Sequence, residues 1–124
     1  MIIAGFCKSD DLNRDILNAI NLDKKIIYIN KFINEKKLNE LVLKSDIVVL
    51  PYVDAFTSGS VVYALSAGKP LILPKFISLN EYSDQSNTFI YNNQKSKELD
   101  HALLKAFNSR NLFEMGINSH KKAK

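Results

Sequence analysis

Apolar residues follow two patterns along the chain, short uninterrupted runs and longer stretches with helical spacing. The run in the middle of the chain has no polar alternation, which is typical of a strand covered by helices on both faces. Strands that alternate with helices predict an α/β fold with a three-layer, Rossmann-like parallel sheet and right-handed crossovers. Five runs predict the strands, at Met1–Phe6, Lys25–Phe32, Asp46–Tyr52, Lys69–Pro74 and Thr88–Tyr91.

The helical stretches lie between these runs and after the last of them. Ser9 and Asn34 precede the first two stretches and are predicted to be helix N-caps. Val61–Ala67 predicts a short helix that ends at Gly68. Residues 110–124 predict a weaker helix followed by a frayed basic tail.

Length and composition restrict the class of protein. The 124 residues predict one domain over residues 1–124, and 46% apolar with 24% charged residues excludes intrinsic disorder. No apolar run approaches the ~20 residues of a membrane span, so we expect no transmembrane segment. The start of the chain lacks signal-peptide features, which predicts a cytoplasmic protein. The single cysteine, Cys7, and two distant histidines predict no metal site.

The net charge of +4 does not by itself indicate a nucleic-acid partner. Lys121, Lys122 and Lys124 lie in the last four residues, and without them 14 basic residues face 13 acidic ones. Only Arg14 and Arg110 are arginines, the residue that most often reads bases through paired hydrogen bonds. We therefore expect no nucleic-acid partner.

The loop after Asp46–Tyr52 carries the most informative chemistry. Thr57, Ser58, Gly59 and Ser60 lie where a strand has ended and a helix begins. Small residues there allow an anion to approach the free N–H groups, and the helix dipole favours negative charge. The alternative is an ordinary N-cap, in which a hydroxyl satisfies its own helix. Spacing alone leaves a phosphate site and an ordinary cap about equally favoured.

Asp46–Tyr82 resembles the donor half of GT-B glycosyltransferases, in particular the retaining family-4 (group 1) type. The specific part is about 25 residues long, and weaker likeness extends over nearly the whole chain. The Thr-Ser-Gly-Ser form of the turn resembles a subgroup of that family. The matching features are Asp46, Pro51, Ser58-Gly59-Ser60, Ala64-Leu65, Gly68-Lys69-Pro70, Leu71–Leu73, Glu81 and Asn87–Ile90.

The resemblance implies the C-terminal lobe of such an enzyme, which binds a nucleoside diphosphate sugar. It places the diphosphate at Thr57–Ser60, the ribose near Tyr63 and the donor sugar near Glu81. It implies no cofactor and a retaining mechanism, in which the donor phosphate can take the proton. Bacterial polysaccharide synthesis, in the cytoplasm or at the inner face of the membrane, is the setting typical of the family. The nucleotide base would contact Lys31, Phe32 and Ile33.

The chain departs from the family pattern in two ways. Ala55 and Tyr63 stand where the family has two glutamates, which leaves Asp54 as the remaining candidate for a catalytic acid. The first strand–helix unit of the lobe and the whole acceptor lobe are also missing. We expect an N-terminal acceptor-binding lobe in the same or a neighbouring gene product. The isolated chain is expected to be inactive, and apolar surface left without that lobe would favour a homo-oligomer.

Other interpretations compete at particular residues. As side chains, Phe32 and Ile33 are predicted to lie in the core, and Lys69 is predicted to be solvated rather than a phosphate ligand. An exposed loop acid is the alternative for Glu81, and ordinary packing of a helix tyrosine is the alternative for Tyr63. A flavodoxin-like or receiver-like module that binds a phosphate ligand without catalysis is the alternative for the whole chain. In the receiver case Asp10, Asp11 and Asp54 would supply the acids.

Overall fold

The computed structural model describes residues 1–53, 59–75, 81–95 and 97–124. They fall into two compact units, Met1–Glu40 and Leu41–Lys124. A single domain over residues 1–124 stays a prediction. Within the described ranges, no helix is long and apolar enough to cross a membrane. The elements in chain order are β1 (Ile2–Ala4), α1 (Asp10–Asn21), β2 (Ile27–Ile29), α2 (Glu35–Lys44), β3 (Val48–Val49), α3 (Gly59–Ser66), β4 (Leu71–Pro74), β5 (Thr88–Tyr91), α4 (Glu98–Phe107) and α5 (Leu112–Lys122).

The first unit is a parallel β1–β2 pair with its connecting helix. Its register runs from Ile2 opposite Ile27 to Ala4 opposite Ile29. The Ser9 hydroxyl accepts a hydrogen bond from the Leu12 N–H at 3.2 Å, which confirms the predicted cap of α1. None of the residues in this unit is fully buried. Two strands and their helices offer too little apolar surface to enclose a core.

The predicted cap of α2 is also confirmed. The Asn34 side-chain oxygen accepts a hydrogen bond from the Lys37 N–H at 2.8 Å, while the Asn34 carbonyl accepts one from Leu38. The core position predicted for Phe32 is wrong, because its side chain is 83% exposed. Phe32 follows the end of β2, where the polypeptide has left the sheet and no element covers the ring within the described unit.

The second unit is a three-stranded parallel sheet with the order β3-β4-β5. Leu71 and Leu73 of β4 pack against Val61 and Leu65 of α3. Ile72, between them, points to the opposite face, where it packs with α4 and α5. This alternation makes β4 a fully buried strand with helices on both faces.

The parallel pairing is as predicted, but the strands are distributed differently. We predicted one sheet of four or five strands, whereas the described strands form a two-stranded and a three-stranded sheet. Most strands are also shorter than the apolar runs that predicted them. The backbone hydrogen bonds to the neighbouring strand end before the apolar run ends. β5, at Thr88–Tyr91, matches its predicted bounds.

The helix predicted within residues 110–124 is present, but the frayed basic tail predicted after it is wrong. Helix α5 continues to Lys122 and buries Met115, Gly116 and Ser119. Met115 joins the α4 side of the core, whereas Ala123 packs against the α3 side. These non-local contacts stabilise a helix whose own sequence is only weakly apolar.

The contact between α3 and α5 depends on two glycines. Gly68 ends α3 with a φ of 68°, and the N–H groups of Gly68 and Lys69 donate to the carbonyls of Leu65 and Ala64. This is a Schellman ending, which favours glycine at the left-handed position. Gly116 of α5 lies against the Gly68 carbonyl, and a Cβ at Gly116 would be 2.5 Å from that oxygen. Only glycine at position 116 allows the two backbones to approach this closely.

We expect Gly116→Ala to destabilise the protein by about 1–3 kcal/mol, because the new methyl group must displace backbone. In an unconstrained helix the same change would stabilise by up to about 1 kcal/mol. Gly59→Ala is the matched control, since a Cβ at that helical glycine meets nothing within 4 Å. Urea unfolding of the three proteins measures the difference. Equal stability of Gly116→Ala and Gly59→Ala would contradict the proposed role of the close contact.

Candidate functional site

The amino end of α3 lies at the carboxyl edge of the second sheet. β3 ends at Val49, and α3 begins at Gly59. Of the predicted diphosphate turn, Gly59 and Ser60 are described and both are exposed. Asp54, Thr57 and Ser58 lie outside the described residues, so their assigned roles stay predictions. The described part of the turn is therefore the solvent-facing first turn of a helix.

Gly59 faces open space. A Cβ built on this residue would meet no atom of the described residues within 4 Å. Its φ does not lie in the left-handed region, so the backbone itself does not require glycine there. The fold of the described residues therefore does not require glycine at position 59. The lack of a side chain there leaves the first turn of α3 accessible. That is the geometry expected where a ligand approaches the N–H groups of a helix.

Tyr63 shares a helix face with Gly59, because the two residues are four positions apart in α3. Its side chain is half-buried. The face that carries the predicted ribose residue is thus the one that carries the open glycine. Its neighbours Val61, Ala64 and Leu65 are buried on the opposite side, where they fix the helix to the sheet.

Lys69 has a structural partner. Its ammonium group donates to the Leu43 carbonyl at 3.0 Å and to the Ser45 carbonyl at 2.7 Å. Both acceptors lie at the carboxyl end of α2, where a cation complements the helix dipole and the unpaired carbonyls. The prediction of a solvated lysine is therefore wrong, and the described geometry gives Lys69 no phosphate-binding role. The Gly-Lys-Pro segment instead joins α3, α2 and β4.

The loop that precedes β5 is held together by Asn87, which is fully buried. Its side-chain oxygen accepts from the Asp84 N–H and the Thr88 hydroxyl, each at 3.0 Å, and its amide donates to the Tyr82 carbonyl at 3.0 Å. Glu81 is exposed at the start of this braced turn. Its predicted contact with a donor sugar is untested.

Asp84 anchors the same turn to α5. Its carboxylate accepts from the Lys122 ammonium and from the hydroxyl and N–H of Ser86. These bonds, that from Lys122 foremost, lower the pKa of Asp84 from 3.8 to about 2. Asn118 adds a bond from its amide to the Ser86 carbonyl at 3.1 Å. The basic end of the chain therefore braces the loop that carries Glu81.

The remaining candidates belong to the first unit, at the carboxyl ends of β1 and β2. A polar network orders this edge: Asn13 accepts from the Tyr28 hydroxyl at 3.0 Å and the Asn30 amide at 2.8 Å. The Asn30 oxygen in turn accepts from the Cys7 N–H at 2.8 Å. The predicted base contacts, Lys31, Phe32 and Ile33, follow directly. The first two are exposed and Ile33 is half-buried.

The described residues contain no cluster of three or more histidine, cysteine or acidic side chains that could hold a metal ion. The residues that sequence reasoning missed are structural: Gly116, Asn118 and Lys122. These three act on residues distant in sequence, so no local signal marks them. Asn87 matched the family pattern as the residue before an apolar strand, but its bracing of the loop was not predicted.

No protein-family model matches the chain, and no curated protein matches it either. Several solved structures share its fold. The catalytic domain of starch synthase IV from Arabidopsis thaliana, bound to ADP and acarbose, matches with a TM-score of 0.77 and 16% identity over 96% of this chain. Sucrose-phosphate synthase from Thermosynechococcus elongatus matches with a TM-score of 0.77 and 14% identity over 98% of this chain.

The chain spans 28% and 32% of the lengths of these two structures. At such identities the likeness concerns the fold alone. The predicted fold class is confirmed: the chain has the α/β, Rossmann-like fold of GT-B glycosyltransferase domains.

We expect Lys122→Gln to raise the pKa of Asp84 from about 2 toward its ordinary 3.8, because the ammonium partner is lost while Ser86 remains. Lys121→Gln, one position away, is the control and should leave it unchanged. Carboxyl NMR titration of Asp84 measures both. An unchanged Asp84 titration in Lys122→Gln would contradict the assignment.

The same ion pair predicts how stability depends on pH. Because the folded pKa of Asp84 is lowered, its contribution is present above about pH 4 and decreases as pH falls toward 2. The pair is partly exposed, so the loss is below about 1 kcal/mol.

Proposed function

We propose that the chain is the nucleotide-sugar-binding lobe of a GT-B glycosyltransferase, of the retaining family-4 type. In this proposal the complete enzyme transfers a sugar from a nucleoside diphosphate to an acceptor. The fold supports this proposal, and so does the starch synthase structure of the same fold, which contains ADP. The proposed setting is bacterial polysaccharide synthesis in the cytoplasm, on family resemblance.

The observation that carries the proposal is the open amino end of α3. The first N–H groups of a helix have no acceptor within the helix, and Gly59 and Ser60 belong to this turn. In the part of the chain that the structure describes, no atom lies within 4 Å of a Cβ at Gly59, which would let a phosphate approach the backbone there. The dipole of α3 would favour its negative charge.

The proposed chemistry follows from charge at the leaving group. When the sugar departs, negative charge grows on the diphosphate, and N–H donors held in place by a rigid helix stabilise it. Thr57, Ser58, Gly59 and Ser60 would supply the donors, Tyr63 would face the ribose, and Glu81 would contact the sugar. Asp54 is the remaining candidate for the carboxylate that the family places near the transferred sugar. The base would lie against Lys31, Phe32 and Ile33.

The proposal includes a partner lobe. A GT-B enzyme closes two lobes around the donor, and this chain spans less than a third of either matched structure. The acceptor lobe and the basic residues that neutralise the diphosphate would come from the same or a neighbouring gene product. The alternative, a receiver-like module, gains no support from the described acids, since Asp11 is ion-paired with Arg14 in the first turn of α1.

We expect Gly59→Val to weaken binding of ADP, UDP or GDP by roughly 1–3 kcal/mol, because the side chain prevents a charge-assisted hydrogen bond to the helix N–H groups. The fold should be unchanged, because the added atoms enter open space. Ser60→Ala should have a smaller effect, since its backbone donor survives. Calorimetric titration with each nucleotide measures the affinities.

Ser66→Val, at the opposite end of α3, is the matched control for added bulk and should bind like the wild type. Equal affinity of wild type and Gly59→Val, or no nucleotide binding by the wild type, would remove this turn from the proposed function.

We expect the purified 124-residue chain to transfer no sugar from any nucleotide sugar, because the acceptor lobe is not part of it. Product analysis by mass spectrometry after incubation with ADP-, UDP- and GDP-sugars is the measurement. Turnover by the chain alone would overturn the two-lobe proposal.

A further inference from the structure

The whole net charge of the chain resides in its last 21 residues. Residues 104–124 contain five basic residues and one acidic residue, while the preceding residues contain 12 of each. Four large apolar side chains in the same segment are exposed, which is unusual beside so many charges. They are Leu104, Phe107, Phe113 and Ile117.

Two of these apolar residues share one face of α5 with a lysine, and a second lysine follows the helix. Phe113, Ile117 and Lys121 are spaced by four residues within α5, and Lys124 lies two residues beyond the helix end; we name these four residues the α5 stripe. Phe113 is 84% exposed and Ile117 is 42% exposed. All four line one open groove of about 800 Å³. The stripe is apolar at its beginning and basic at its end.

The opposite wall of the groove lies at the amino ends of β3 and β4. It includes Asp46, Lys69 and Pro70. The Lys69 ammonium is already bonded to the end of α2, and His120 is bonded through Nδ1 to the Ser66 carbonyl. Within the described chain, Lys121 and Lys124 have no ion-pair partner. They are the cations that the groove offers to a ligand, and Asp46 is the acidic side chain in its lining.

We propose that the α5 stripe docks on the surface of an anionic lipid bilayer. Phe113 and Ile117 would enter the boundary between headgroups and acyl chains, and the two lysines would reach the lipid phosphates with their flexible stems. Charge complementarity selects this partner, because an anionic surface attracts a localised basic segment while neutral lipid does not.

Two other partners fit the stripe less well. A two-fold dimer through this face would place the stripe against the same four residues of the second copy, which include no acid, so Lys121 and Lys124 would gain no counter-charge. Nucleic acid would neutralise the lysines, but its phosphates would leave Phe113 and Ile117 without an apolar partner. A bilayer satisfies both halves of the stripe.

The proposal is independent of the proposed nucleotide site. The groove lies at the amino edge of the β3-β4-β5 sheet, whereas Gly59 lies at the carboxyl edge. Lipid binding and nucleotide binding can therefore succeed or fail separately.

Vesicle flotation of the full 124-residue chain tests the proposal. We expect binding to phosphatidylcholine vesicles with about 30% phosphatidylglycerol, weak binding to phosphatidylcholine alone, and release at about 0.5 M NaCl. The double variant Lys121→Gln, Lys124→Gln should bind about 30-fold more weakly, since each lysine near an anionic surface contributes roughly a factor of five. Phe113→Ser should lose about tenfold.

Matched controls come from the first unit. Lys24→Gln with Lys25→Gln removes two exposed lysines, and Phe6→Ser removes a phenylalanine that is 65% exposed. Both should bind vesicles like the wild type. Equal binding to neutral and anionic vesicles, or unchanged binding by the Lys121/Lys124 variant, would overturn the proposal. So would binding to a DNA duplex without vesicle binding, or a dimer that Phe113→Ser dissociates in a chain that binds no vesicles.

Discussion

The close approach of α5 to the end of α3 is the contact on which the described second unit depends. Gly68 turns the chain out of α3 with a left-handed φ, and Gly116 leaves room for the Gly68 carbonyl. Close packing at this point fixes the carboxyl end of α3. Burial of Val61 and Leu65 holds the rest of the helix against β4. The amino end of α3 is therefore held at the carboxyl edge of the sheet by contacts farther along the helix. Gly59 itself has no side chain that could hold it there.

The same helix also braces the loop at Glu81. Lys122 and Asn118 bind the turn formed by Asp84 and Ser86, and His120 binds the last carbonyl of α3. At the amino edge of the sheet, α5 thus braces the carboxyl end of α3 and the turn that leads into β5. Its exposed face, the α5 stripe, takes no part in this bracing and is available for a separate role. One helix would then serve both the nucleotide site and the lipid surface in the proposed account.

Local signals in the sequence predicted most of the helices and strands. Features that depend on contacts between residues distant in sequence could not be predicted. Ser9, Asn34 and Gly68 act on their own helices, and Thr88–Tyr91 is an uninterrupted apolar run, so these features are legible along the chain. The end of the chain was mispredicted as frayed because its stability comes from Gly68 and Asp84, far away in sequence. Lys69 was mispredicted for the same reason, since its acceptors are about 25 residues upstream. Of the candidate site, the open glycine followed from the turn pattern; the exposure of Phe32 did not, because burial depends on which elements cover a ring.

Amide NMR of the uniformly labelled chain, titrated with ADP, UDP and GDP, tests the central claim most directly. If a diphosphate binds at the amino end of α3, the signals of Gly59 and Ser60 shift most, and Tyr63 on the same helix face shifts with them. Gly68 and Gly116, at the far end of that helix, stay unchanged. Shifts confined to the groove that Lys121 and Lys124 line, or no shift at saturating nucleotide, would contradict the account.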